Sequence, residues 1–235
     1  GRADLLSFLF YSLGVIYFWN WHEHKSRRHL LIGGIFSLFA LLSDSEIVTW
    51  LLLPFFILLV VKKESITRVF PLIGVVLTTV FIYWLYRATN ISEPNVLEVF
   101  NPLAEVSGFS GRLNTVAFTI GMYFKLLLYP KPLVSAYGFG HFNLVNELEP
   151  MVYVGLIGLA ILMFLLVAAS KRLPLLSVGA FIVLIDIIPF SNLIENQTSI
   201  FDEKVLFGAT FGVCLMIASI LGGFFKVSPS SSLKF

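Results

Sequence analysis

The stretch from Met151 to Phe190, MVYVGLIGLAILMFLLVAASKRLPLLSVGAFIVLIDIIPF, decides how this chain is built. Apolar runs at 151–169 and 173–190 flank the turn Ser170-Lys171-Arg172, and Asp186 carries the one other charge. Each run approaches the ~20 helical residues that cross a hydrocarbon core of about 30 Å. The runs are continuous rather than alternating, so they predict helices and not barrel strands. A short basic turn between two spans stays in the cytoplasm. Lys171 and Arg172 thereby orient everything else.

Working outward, further apolar stretches lie at 4–20, 29–42, 46–61, 69–87 and 204–224. The pair 29–42 and 46–61 is short, and each is either a tilted span or half of a re-entrant hairpin. Loops 22–28 and 62–68 and the tail 225–235 then share the cytoplasmic side. They hold Lys25, Arg27, Arg28, Lys62, Lys63, Arg68, Lys226 and Lys234 against only Glu23 and Glu64. Most acids fall on the outer side.

An eighth stretch, 113–128, is apolar but carries Asn114, Thr115, Thr119 and Lys125. If it crossed, the Lys171-Arg172 turn would be forced outside, against the orientation rule. It is therefore expected to lie along or dip into the outer face, merging 88–150 into one outer lobe. The expected fold is an all-α polytopic membrane helical bundle of about seven spans plus one re-entrant or interfacial helix. The transmembrane domain covers 1–224 and a cytoplasmic tail 225–235. The protein is expected to be an integral, multi-pass membrane protein whose acidic loops face the periplasm, lumen or exterior.

Composition agrees: 57% hydrophobic residues, 13% charged and a mean hydropathy of +0.90 exclude a soluble domain, in which about a quarter of residues are charged. The net charge of +2 comes from membrane-flanking clusters and not from a contiguous basic stripe, so no nucleic-acid partner is expected. Cys214, the single cysteine, makes no intrachain disulfide and is expected to pack within the last apolar run. Gly1 opens the chain directly against an apolar run, which predicts an upstream part. No cysteine–histidine metal pattern or phosphate-cradling glycine loop occurs, and the cofactor is unknown.

Several residues invite chemistry. His22 and His24 flank Glu23, as a metal site or a solvated loop. His141, in Tyr137-Gly138-Phe139-Gly140-His141-Phe142, reads as a polar turn or a ligand contact. Asp186 lies inside a span, where an ionisable group is costly; it is either functional or close enough to the outer end to reach water. Asp44 or Ser45 can cap the third helix, and Glu46 suits its positive first turn. The strongest group stands at helix starts on the outer interface: Arg2 and Asp4, Arg112, and Glu203-Lys204. Guanidinium and ammonium groups there suit a lipid phosphate. Interfacial anchoring would place the same charges.

These positions also carry a family likeness. Gly1-Arg2-Ala3-Asp4-Leu5-Leu6, Asn101-Pro102-Leu103, Arg112-Leu113-Asn114-Thr115, Gly121-Met122-Tyr123 and Leu126-Leu127-Leu128-Tyr129-Pro130 occur in that order. Pro189-Phe190-Ser191-Asn192-Leu193 and Glu203-Lys204-Val205-Leu206-Phe207 follow. The ordered set resembles the transmembrane O-mannosyltransferase-type proteins with tetratricopeptide repeats, polytopic type-C (GT-C) glycosyltransferases. The resemblance implies transfer of a sugar, often mannose, from a polyprenyl-phosphate donor to a protein or glycan on the outer or lumenal face. It implies a catalytic carboxylate in an outer loop upstream of Gly1, so the catalytic residue here is unknown. Arg2, Arg112 and Lys204 would stabilise the departing phosphate, with Asp4 and Glu203 orienting them.

Two departures stand out. The family's Ser-Lys-Glu turn reads Ser43-Asp44-Ser45 here, and its Glu-Arg pair reads Glu203-Lys204, which keeps the charge but loses the bidentate fork. They motivate a second expectation: a non-catalytic membrane subunit that keeps the scaffold and docks onto a larger complex. Membrane lipids are partners in either case.

Overall fold

The computed structural model describes residues 2–90, 109–131, 149–193, 201 and 203–224. Among the described residues all regular structure is helical and no strand occurs. The 88–150 lobe beyond its helical parts, His141 and the tail 225–235 lie outside the described residues. The chain divides into two compact units, Gly1–Pro94 and Asn95–Phe235.

In the first unit, α1 (Arg2–His24) and α2 (Arg27–Ser43) form a tight hairpin. Gly14 meets the Gly33 carbonyl and Ser37, while the Phe18 ring lies on Gly33. Contacts that advance along one helix retreat along the other, so the pair is antiparallel. The third element, α3 (Ser45–Val61), is apolar but short. Asp44 separates it from α2 and caps it, accepting a hydrogen bond from the Glu46 N–H at 3.0 Å. That is the cap expected from the residue types.

Helical geometry changes along α3: Ser45–Leu52 is 3-10, Leu53–Phe56 is α and Ile57–Val61 is π. Pro54 supplies the reason for the 3-10 bond that precedes it. It has no N–H to offer the Trp50 carbonyl one turn back. That carbonyl accepts instead from the Leu53 N–H, in the tighter 3-10 pattern, and from the buried Tyr11 hydroxyl of α1. α4 (Ile66–Asn90) completes the unit. Its Thr79 hydroxyl reaches the Gly34 carbonyl at 3.5 Å, and Val75 packs on Gly34.

In the second unit, α5 (Phe109–Leu128), α6 (Pro150–Ala168) and α7 (Pro174–Phe190) are followed by a 3-10 turn, Glu203–Val205, and α8 (Leu206–Phe224). Prolines at the first positions of α6 and α7 suit a helix start, where no N–H is needed. α7 is apolar nearly all round and buried, from Leu176 to Ile187, as a central helix should be. It meets α8 where Gly179 and Gly212 face each other; a Cβ on Gly179 would stand 2.5 Å from the Gly212 carbonyl. Gly179 also meets Met216 and Gly212 meets Val183, so α7 and α8 run antiparallel. The Ser177 hydroxyl donates to the Leu166 carbonyl at 2.7 Å, joining the ends of α6 and α7 across the Lys171-Arg172 turn.

α5 packs lengthwise on α6. Ala117 and Phe118 meet Val152, Gly121 meets Gly155, and the Phe124 ring lies on Gly158. These contacts advance together along both helices, so α5 and α6 are parallel. A Cβ on Gly121 would overlap the Met151 carbonyl, and one on Gly155 the Ala117 carbonyl. Such small-residue crossings let backbones approach where no water drives association. Leu128 and Pro150 consequently stand at opposite ends of the pair.

All eight apolar stretches are helical, with ends within a few residues of expectation. Four are long and apolar enough to cross a membrane: α1, α4 from Ile66 to Thr89, α6, and α8 with its leading turn, Glu203–Gly223. α3 and α7 are apolar but shorter. Large apolar side chains such as Phe70, Phe164 and Val167 remain about two-thirds exposed, the surface of a membrane protein and not of a soluble domain. One expectation fails. Cys214 is exposed, because α8 turns Ala209, Gly212 and Met216 to its neighbours and Cys214 away from them.

Candidate functional site

The candidate residues of the second unit gather at one end of its bundle. α7 ends as its sequence requires. Pro189 withholds an N–H in the last turn, the Ser191 hydroxyl donates to the Ile188 carbonyl at 2.7 Å, and Asn192 turns left-handed at φ 63°. Asparagine is one of the few residues that accept this conformation readily, and it commonly ends helices. Ser191 and Asn192 are fully buried.

Arg112, in the first turn of α5, donates from Nη2 to the Asn192 carbonyl at 3.2 Å. A guanidinium at a helix C-terminus also meets the negative end of the helix dipole, worth about 0.3–1 kcal/mol. The segments Arg112–Thr115 and Pro189–Leu193 are thus in direct contact. Because α7 and α8 are antiparallel, the turn Glu203–Val205 leads into α8 at this same end and packs against α7. Val205 is buried, Glu203 partly buried and Lys204 exposed. Phe201 just before the turn is buried and stacks on Tyr123 of α5, with ring centroids 4.5 Å apart.

The structure therefore brings Arg112 to Asn192 and sets Glu203 and Lys204 at that end of the bundle. Arg2 and Asp4 belong to the first unit. Both lie in the first turn of α1, Arg2 exposed and Asp4 partly buried. Nothing in the local sequence around Arg112 identifies Asn192 as its partner. The run Pro189-Phe190-Ser191-Asn192 after an apolar stretch is a helix-stop signal and marks where α7 ends. Asp186 is buried in α7, 6% exposed, so it does not reach water as one reading had it. His22 and His24 form the last turn of α1 instead of a loop, and His22 faces Glu64 at 3.5 Å. Among the described residues no cluster of metal-ligating side chains occurs. No family model, curated protein or solved structure matches this chain.

Proposed function

We propose that this chain is the membrane portion of a GT-C-like glycosyltransferase, transferring a mannose-like sugar from a polyprenyl-phosphate donor on the outer or lumenal face. In this reading α1, α2, α3, α4, α6, α7 and α8 are the seven spans. α5 dips from the outer face alongside α6, its parallel packing carrying Leu128 away from the Pro150 end. The basic loops lie in the cytoplasm. The contact of the end of α1 with the 62–68 loop through His22 and Glu64 supports their sharing a side.

The observation that carries the proposal is the Arg112–Asn192 contact at the bundle end opposite the Lys171-Arg172 turn. A guanidinium held by a backbone carbonyl is pre-oriented for a phosphate leaving group, and positioning of this kind lowers the cost of stabilising developing charge. Lys204 adds a second cation at that end. A carboxylate upstream of Gly1 would take the acceptor's hydroxyl proton as the sugar's anomeric carbon leaves the phosphate.

The test is transfer from a lipid-linked mannosyl donor by the full-length protein. Arg112→Lys keeps the charge and loses the fork, and should lower transfer while the protein stays folded. Arg112→Lys with unchanged transfer removes Arg112 from the site.

A second reading, a non-catalytic membrane subunit on a diverged scaffold, is favoured by one observation. At the turn where the family shows Ser-Lys-Glu, Asp44 caps a helix, a structural use. Stable co-purification with a larger complex and no transfer would support that reading; an active monomer would exclude it.

A further inference from the structure

The basic end of the first unit is more organised than a solvated loop needs to be. The Lys62 ammonium sits over the Trp19 ring, 4.8 Å from its centroid, and Lys25 sits over Trp21 at 5.7 Å. Between them lies His22, whose Nδ1 is 3.5 Å from the Lys25 ammonium. With Nδ1 accepting, the imidazole proton resides on Nε2, toward Glu64. Glu64 is held in turn by Arg68 at 2.9 Å. The chain of contacts ties the end of α1 to the start of α4, with the Lys25 ammonium beside the imidazole and the Lys62 ammonium over the Trp19 ring. Cation–aromatic contacts of this kind are worth roughly 0.5–1 kcal/mol at exposed sites, enough to bias long lysine side chains toward one place.

Directly beneath Trp19, between α1 and α3, an open apolar cleft is lined by Val15, Phe18, Trp19, Pro54, Ile57 and Leu58. Lys25 and Lys63 both occupy left-handed backbone, φ 53° and 54°, a conformation that costs a non-glycine residue roughly 1–2 kcal/mol. Lysine stands at two turns where glycine would be the easier choice.

We infer that this end is a binding site for an anionic phospholipid, its phosphate held by Lys25 and Lys62 and the start of an acyl chain lying in the cleft below Trp19. The occupant follows from two complementary parts, a pair of fixed cations and an apolar cleft at the membrane-facing side of one tryptophan. A soluble anion would use only the first part. The inference rests on the membrane setting alone and stands whether or not the protein transfers sugar.

The experiment places the full chain in phosphatidylcholine vesicles containing a minor fraction of chain-brominated phosphatidylglycerol, or the same fraction of chain-brominated phosphatidylcholine. Bromine quenches a tryptophan that it touches, and the difference between wild type and Trp19→Phe isolates Trp19. Trp19 should be quenched preferentially by the anionic lipid. Each of Lys25→Gln and Lys62→Gln should weaken apparent affinity about fivefold, as roughly 1 kcal/mol per surface cation implies. Native mass spectrometry should show retained phosphatidylglycerol lost in the double variant, with helical content unchanged. Equal quenching by the two lipids overturns the inference, as does a preference that survives in the double variant. Reversal of the preference by inorganic phosphate would show a free-anion site and overturn the lipid assignment.

Discussion

Arg112 on α5 donates a hydrogen bond to the backbone carbonyl of Asn192, which ends α7 in the left-handed conformation. One contact therefore closes a helix terminus and fixes a guanidinium at the end of the bundle where Glu203 and Lys204 also lie. A bond from a charged donor contributes about 1.5–3 kcal/mol. Arg112→Ala should accordingly lower unfolding stability by about 2 kcal/mol, measured by chemical denaturation in detergent. A stability change near zero would mean that the guanidinium does not hold α7.

The same terminus permits a cleaner comparison at Asn192 itself. Alanine and glycine both lack the amide, but only glycine adopts a positive φ without steric cost. Asn192→Gly should be more stable than Asn192→Ala by about 1 kcal/mol. Equal stabilities would place Asn192 outside the left-handed region.

Where α5 crosses α6, Gly121 and Gly155 leave no room for a side chain on either helix. Gly155→Ala must push the two backbones apart, which typically costs about 1–3 kcal/mol. Gly74 on α4 has open space around it, and Gly74→Ala should cost nothing and can gain helix propensity of about 1 kcal/mol. Melting temperatures of the two variants should move in opposite directions. A parallel fall in both would argue against the crossing.

Much of the architecture was legible because continuous apolar runs can only be helices in a bilayer, and their polar interruptions mark the ends. The break at Asp44, the cap it makes and the turn at Lys171-Arg172 all follow from local chemistry. The direction of α5 did not, since residues such as Gly121 and Gly155 allow close approach of parallel and antiparallel helices alike. Nor did the Arg112–Asn192 pair, whose members are 80 residues apart and whose contact depends on how three helices stack. Cys214 was misread for a related reason. In a helix with apolar residues on every face, hydropathy does not tell the packed side from the exposed one.

The Tyr11–Trp50 contact follows from Pro54 and can be tested as a cycle. Tyr11→Phe removes the hydroxyl donor but leaves the Leu53 N–H on the Trp50 carbonyl, so the loss should be about 1 kcal/mol. Pro54→Ala returns an N–H to the position that an α-helix uses to reach that carbonyl. Tyr11→Phe should then cost less in the Pro54→Ala background than alone. Additive losses would show that proline and tyrosine do not share the carbonyl.

At the basic end of the first unit, the Arg68 hydrogen bond holds the Glu64 carboxyl below its ordinary value of 4.5. A depressed carboxylate stabilises the fold at pH values above its unfolded pKa and loses that contribution as pH falls through the folded one. Glu64→Gln should therefore melt below wild type at neutral pH. The gap should narrow and close as pH drops beneath 4.5. Glu64 is exposed to solvent screening, so the neutral-pH gap should also shrink in high salt. A gap that stays constant across the acid range would mean that the glutamate acts through its shape and not its charge.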